Sequence, residues 1–244
     1  MRNVKATIQY DGTAYHGWQM QANGRTIQGE LTRAVSALDQ KHVTIHGAGR
    51  TDAGVHAEGQ VASFLLERPF EPSRLRDAIN GNLDRDIRVS QVEFMPESFN
   101  ARFSAREKTY VYRVWTGDVV SPFHYRYCHR HRGPLDFDAM REAASFLTGR
   151  HDFSAFTILN SEFDHHVRNL KRLEIELEGA ILSIRVTADA FLRYMVRTIA
   201  GSLLDVGRGR ISARRMEEIL AGRDRSRAGA TAPASGLTLV RVDY

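Results

Sequence analysis

The chain has 244 residues, of which 42% are hydrophobic and 26% charged, an ordinary soluble composition with room for one large domain or two smaller ones. No apolar run approaches the roughly 20 residues needed to cross a bilayer. The net charge is +5, from 34 basic and 29 acidic residues, so an acidic partner is indicated only where that charge is concentrated. The start, "MRNVKATIQYDG", lacks the apolar core and small-residue cleavage site of a signal peptide and reads as a strand. Cys128 is the single cysteine; an intrachain disulfide and a cysteine zinc cluster are excluded, and a reduced cytoplasm is the simplest location.

In chain order, residues 4–10 alternate as a strand, which "DGTAYHG" breaks with turn residues. Ile27, Leu31, Ala34, Val35 and Leu38 recur at helical spacing, with Thr26 placed to cap. "HVTIHGAG" is expected as a second strand and "GVHAEGQVASFLL" as a third. A short helix follows Pro72 and stops near Gly81, and "DIRVSQVEF" closes this part as a strand. The order is β-α-β-β-α-β, that of split βαβ domains.

The second half repeats it. "TYVYRVW" is a strand, and Phe137, Met140, Ala144 and Leu147 mark a helix over residues 136–149. "LEIELEGAILSIRV" is a hairpin with Leu173, Ile175 and Leu177 inward and Gly179 in the turn. "FLRYMVRTIAGSLLDV" is a long amphipathic helix, "ARRMEEILAG" a second, "RAGATAPASG" a small-residue loop and "GLTLVRVDY" a final strand. Residues 96–132 connect the halves. The expectation is an α+β protein of two such units, residues 1–100 and residues 101–244.

Charge concentrates in two places. Residues 191–230 hold nine Arg against four acids, and residues 100–132 hold seven Arg and Lys against two. The latter also carry Phe103, Tyr110, Tyr112, Trp115, Phe123, Tyr125 and Tyr127. Basic and aromatic interleaving suits nucleic acid, where cations meet phosphates and rings stack on bases; strand alternation, with rings in and arginines out, accounts for the same pattern.

The stretch "GAGRTDAGVHA" admits four readings. A phosphate loop fails for want of a Gly-Lys-Ser/Thr ending, a G-x-G-x-x-G and a following helix. A metal site from His46, Asp52 and His56, with or without His42, lacks a recognised ligand spacing, and Gly54 argues against the helix it would need. A purely structural Asp would bond its own turn. A catalytic Asp52 would use the glycines for close approach of a bulky substrate, with Arg50 on the same side of an extended chain.

"AGRTDAGVHA" resembles the active-site motif of the tRNA pseudouridine synthase A family. "YDGTAYHGWQMQ" resembles that family's first-strand signature, "FNARFSAREKTYVYRV" its second motif, "FLRYMVRTIAGSLLDVG" its third and "GLTLVRVDY" its closing strand. Together they span almost the whole chain in order. The resemblance implies two ferredoxin-like halves sharing a central, mixed but mostly antiparallel sheet, with helices on one side and an active-site cleft between the halves. It implies isomerisation of uridine to pseudouridine at positions 38–40 of the tRNA anticodon stem-loop. No cofactor and no metal are implied, since neither redox change nor hydrolysis occurs, and the partners are tRNA and a second copy in a homodimer.

Residue by residue, the resemblance makes Asp52 the carboxylate nucleophile, whether it acts at C1′, at C6 or through an elimination intermediate. Tyr110 falls where the family places a substrate-contacting tyrosine, although it shares a strand face with Tyr112 and periodicity does not separate the two. Arg50 corresponds to an arginine that helps extrude the nucleotide. Arg102, Arg106, Lys108, Arg208 and Arg210 are candidate phosphate contacts that also suit a solvated surface. The third motif supplies a basic residue that "MVR" puts at Arg197, a cationic partner for Asp52. On a helical projection of residues 192–204, Arg193 and Arg197 lie one turn apart beside an apolar arc, and Gly201 leaves space next to Arg197. Such pairing would hold Asp52 ionised. Paired RRMs would also have two such units, but the RRM ring motif is absent; a metal-dependent RNA hydrolase would be silenced by chelator.

Overall fold

The computed structural model describes residues 1–158 and 165–244. They form two compact units, Met1–Arg106 with Thr238–Tyr244, and Glu107–Leu237. Among the described residues no helix is long and apolar enough to cross a membrane.

In the first unit, β1 (Arg2–Tyr10) turns Val4, Ala6, Ile8 and Tyr10 into the core by simple alternation. α1 (Ile27–Asp39) starts at the expected cap, with Thr26 Oγ1 accepting from the Gly29 amide at 3.2 Å, and buries Ile27, Leu31, Ala34 and Val35. β2 is only His46–Gly47, shorter than the strand expected. Val43 and Ile45 are buried, and the Val43 amide bonds Ser36 Oγ of α1 at 2.9 Å. That stretch follows the helix rather than a ladder. β3 (His56–Leu66) lies between β1 and β2 and runs antiparallel to both. α2 (Pro72–Gly81) opens on its proline, and β4 (Ile87–Met95) pairs antiparallel with the far edge of β1. The expected β-α-β-β-α-β order is therefore present.

The closing strand, Leu237–Asp243, pairs parallel with the start of β3 through Thr238 with His56 and Leu239 with Ala57. Residues 238–244 thus belong with the first unit, whereas the sequence alone places them with residues 101–237. Gly59 makes room for this strand: a Cβ there would come within 2.2 Å of the Val240 carbonyl oxygen.

The second unit has the sheet order β5 (Glu107–Trp115), β9 (Ile181–Ala188), β8 (Val167–Glu178), β7 (Gly149–Asp152), all antiparallel neighbours. A two-residue β6 (His129–Arg130) runs parallel to the end of β5. α3 spans Phe137–Ser145, ending before Gly149, which opens β7 instead with φ of +115°. In the β8–β9 hairpin Gly179 takes the turn with φ of +57°, as expected. Of the three residues expected inward only Ile175 is buried; Leu173 is half-buried and Leu177 is 44% exposed. α3 meets the strand at Ile175, whose carbonyl accepts from Arg141 Nε at 3.3 Å, and Leu177 lies one pleat further on.

α4 (Met195–Gly207) starts later than the amphipathic pattern indicated. Tyr194 holds a left-handed conformation, φ 63°, which breaks the helix, so Leu192 and Arg193 precede it. The projection of residues 192–204 is consequently wrong at its beginning, and Arg193 is not one helical turn before Arg197. α5 (Arg215–Gly222) follows.

Candidate active site

The glycine-rich segment leaves the sheet after β2 and returns at β3, and its main chain is tied down on both sides. Ala48 N–H bonds the Val61 carbonyl at 2.8 Å, and Trp18 N–H bonds the Thr51 carbonyl at 3.0 Å. The Asp52 carbonyl accepts from Val55 N–H at 3.1 Å, closing a turn in which Gly54 has φ of +78°. Gly17, φ +89°, lies so close that a Cβ would stand 2.6 Å from the Thr51 carbonyl oxygen. Here glycines let two backbones touch.

On this frame Arg50 is exposed and Asp52 half-buried. Arg50 donates from Nε to Gln19 Oε1 at 3.2 Å. Asp52, half-buried as a residue, sits on a sharply held turn, which suits a group that must meet substrate yet keep its orientation. His56 is buried, accepts from Gly12 N–H at 3.1 Å through Nδ1, and lies 3.2 Å from the Asp11 carboxylate. His42 and His46 are exposed. Among the described residues no three of His, Cys, Asp and Glu gather as a metal site, and His56 Nδ1 takes the Gly12 amide. Asp11 was not singled out from sequence; the signal available was the "YDG" turn, where its carboxylate accepts from Thr13 N–H and Oγ1.

The second unit carries Tyr110 and Arg197. Tyr110, on β5 opposite Val186, is buried with its ring edge-on to Phe191, centroids 5.0 Å apart. Tyr112 is fully buried and its hydroxyl donates to the Pro233 carbonyl at 3.0 Å. Burial raises the Tyr112 hydroxyl pKa far above the ordinary phenol value, against an opposing pull from Arg197. Tyr112 is thereby accounted for as a core residue that anchors a loop, a distinction strand periodicity does not make.

Arg197, on the first turn of α4, donates from Nε to the Ala232 carbonyl at 2.7 Å, and Ala232 N–H returns a bond to the Arg197 carbonyl at 3.1 Å. Its guanidinium lies over the Tyr194 ring at 5.2 Å. Gly201 does not leave empty space beside it: a Cβ there would fall 1.9 Å from the Ala230 carbonyl oxygen. The small-residue loop fills that place, held by Ser202 Oγ to Gly229 N–H at 2.9 Å and by Arg225 to the Gly229 carbonyl and Thr231 Oγ1.

Of the candidate phosphate contacts, Arg102 and Arg106 are exposed and Lys108 half-buried. Arg102 lies over the ring of Phe103, itself 80% exposed. Arg208 and Arg210 each pair with Asp205 at 3.2 Å, and Arg208 also meets His131 Nδ1 at 3.0 Å. These two cations therefore carry structural ties that sequence did not reveal.

A family model described as tRNA pseudouridine synthase matches residues 6–104 and 143–244. The chain belongs to the tRNA pseudouridine synthase family. This makes it an isomerase of the uridine-to-pseudouridine type, as the motif resemblance implied. Arg50, Asp52, Arg102, Arg197, Arg208 and Arg210 lie inside the matched stretches, while Arg106, Lys108 and Tyr110 fall between them. Similar full-length relatives are each named "tRNA pseudouridine synthase A". The one from Afipia carboxidovorans is 44% identical over 245 residues, all of both chains. That from Acetivibrio thermocellus is 42% identical over 246 residues, again covering both chains fully. That from Brachyspira hyodysenteriae is 42% identical, covering this chain fully and 99% of its own.

Proposed function

We propose that this chain isomerises uridine to pseudouridine at positions 38–40 of the tRNA anticodon stem-loop, with Asp52 as nucleophile. The C1′–N1 bond breaks, the uracil turns, C5 bonds to C1′, and the proton lost from C5 is balanced by one gained at N1. Nothing is oxidised or hydrolysed, so no metal or cofactor enters the reaction. A group that attacks or removes a proton is needed, and a carboxylate can do either.

The observation that carries this reading is the placement of Asp52: a half-buried aspartate on a turn closed by its own carbonyl, two residues from the exposed Arg50, within a stretch matched by the family model. Arg50 assists extrusion of the nucleotide, and Tyr110 contacts the flipped base. Arg197 is the cationic partner of Asp52 and favours its ionised form. Arg102, Arg106, Lys108, Arg208 and Arg210 bind phosphates, so tRNA affinity falls steeply with salt. The working form is a cytoplasmic homodimer that binds tRNA across both copies, the first unit carrying the nucleophile and the second the basic helix.

The test is incubation of uridine-containing tRNA with the purified protein in excess EDTA, followed by nucleoside analysis. Pseudouridine confined to positions 38–40 is the expected product. Its absence, or activity restored only by one particular divalent ion with tRNA fully folded, contradicts the proposal.

A further inference from the structure

The glycine-rich segment is tied through alternate residues by a buried polar chain. Gln60 Nε2 donates to the Gly49 carbonyl at 2.9 Å and lies 3.4 Å from the Tyr10 hydroxyl oxygen. The Tyr10 hydroxyl in turn is 2.8 Å from Thr51 Oγ1. Gln60 is 0% exposed, Tyr10 4% and Thr51 7%. An amide, a phenol and a hydroxyl inside a core are costly unless bonded to one another, and packing alone would be served by apolar residues on β1 and β3.

Gln60 Nε2 can only donate, and its Oε1 already takes the Val61 amide at 3.2 Å. Burial pushes the Tyr10 hydroxyl pKa up to about 12, so the group stays protonated. The Tyr10 hydroxyl therefore accepts from Gln60 and shares a hydrogen bond with the Thr51 hydroxyl in which either oxygen can donate. Gly49 is thus held through its carbonyl and Thr51 through its hydroxyl, so Arg50 lies between two tied residues and Asp52 directly follows the second. Arg50 is exposed and Asp52 half-buried on this tied segment.

We propose that Tyr10 and Gln60 are positioning residues, which act through Gly49 and Thr51 to fix the direction in which Arg50 and Asp52 face the substrate. This rests on the reading of Asp52 as nucleophile. Neither residue touches the reacting atoms. Their contribution is orientation, and a misplacement of about 1 Å can cost on the order of a hundredfold in rate.

Turnover and tRNA affinity would be measured separately for Tyr10→Phe, Thr51→Val, their double variant and Gln60→Met, with Thr51→Ser as the conservative control. Each of the first four is expected to lose between roughly tenfold and a hundredfold in kcat, with tRNA Kd within about twofold and a cooperative melt retained. The double variant should be no worse than the poorer single, since both break one link. Thr51→Ser keeps the hydroxyl and should keep turnover. The inference is overturned by full turnover in Tyr10→Phe and Thr51→Val, by losses that follow Kd instead of kcat, or by additive losses in the double. Asp52→Asn run alongside separates the two ideas. An active Asp52→Asn sinks the nucleophile itself, whereas an inactive one beside fully active Tyr10→Phe and Thr51→Val sinks only the positioning role.

Discussion

Arg197 and Ala232 are joined by two hydrogen bonds, Nε to carbonyl at 2.7 Å and amide to carbonyl at 3.1 Å. One side of the guanidinium is thus fixed by backbone, so the charge has a set orientation rather than that of a free surface arginine. Replacing Arg197 by Met keeps the apolar stem and removes the charge. With Arg197 as the partner of Asp52, kcat should fall by roughly a hundredfold or more. A cation beside a carboxylate lowers its pKa, so its loss raises that pKa and moves the acid limb of the pH–rate profile upward. Near-normal turnover with an unmoved limb would give the role to another group, Arg50 first.

Gly201 should not tolerate a side chain. Alanine is the better helix former by about 1 kcal/mol, yet its Cβ would lie 1.9 Å from the Ala230 carbonyl oxygen. Overpacking of this kind costs about 1–3 kcal/mol, and relief requires the loop that holds Arg197 to move. Gly201→Ala is expected to lower both Tm and kcat in thermal-melt and turnover assays. An unchanged or raised Tm would mean the loop yields freely.

Tyr112 and Tyr110 should behave differently on losing a hydroxyl. Tyr112→Phe removes the bond to Pro233 and should cost about 1 kcal/mol of stability while turnover stays within a few fold. Tyr110→Phe should lower turnover more than stability. Denaturant melts with parallel kinetics decide the matter, and a reversed pattern would exchange the roles.

Much of this was legible in the chain. Alternation marked β1, β3, β5 and the β8–β9 hairpin, Thr26 marked the start of α1, and "GRTDAG" marked the loop with Asp52. What could not be read depends on partners distant in sequence. The left-handed Tyr194 that delays α4 has its ring under Arg193 and Arg197, and no local rule predicts that conformation for a tyrosine. β2 is two residues long, and before it the Val43 amide bonds Ser36 of α1 instead of a strand. Tyr10 and Gln60 look like ordinary strand residues until the fold brings them to Thr51 and Gly49. The sequence reading argues against His56 as a metal ligand, and only the fold shows its Nδ1 taking the Gly12 amide.

Acid should weaken the second unit through two histidines. Burial, then Arg208 and Arg210, lower the pKa of His131, and burial, then Arg208 and His131, lower that of His129. A folded-state pKa below the unfolded value of about 6.5 means the unfolded chain binds more protons in that range. The stability contributed is therefore complete above about 6.5 and is lost as pH falls through the lowered folded values. Tm should drop as pH falls below about 6.5, and less steeply in Arg208→Met, which removes a shared cause. Equal slopes for the two proteins would contradict this.

The most direct measurement is pseudouridine formation under single-turnover conditions by Asp52→Asn, with tRNA binding measured on the same preparation. The substitution keeps size and hydrogen bonding while removing the carboxylate that the reaction requires. The account predicts no detectable product with a cooperative melt retained and tRNA affinity close to that of the parent. Product formed at a rate within about tenfold of the parent would show that Asp52 is not the nucleophile.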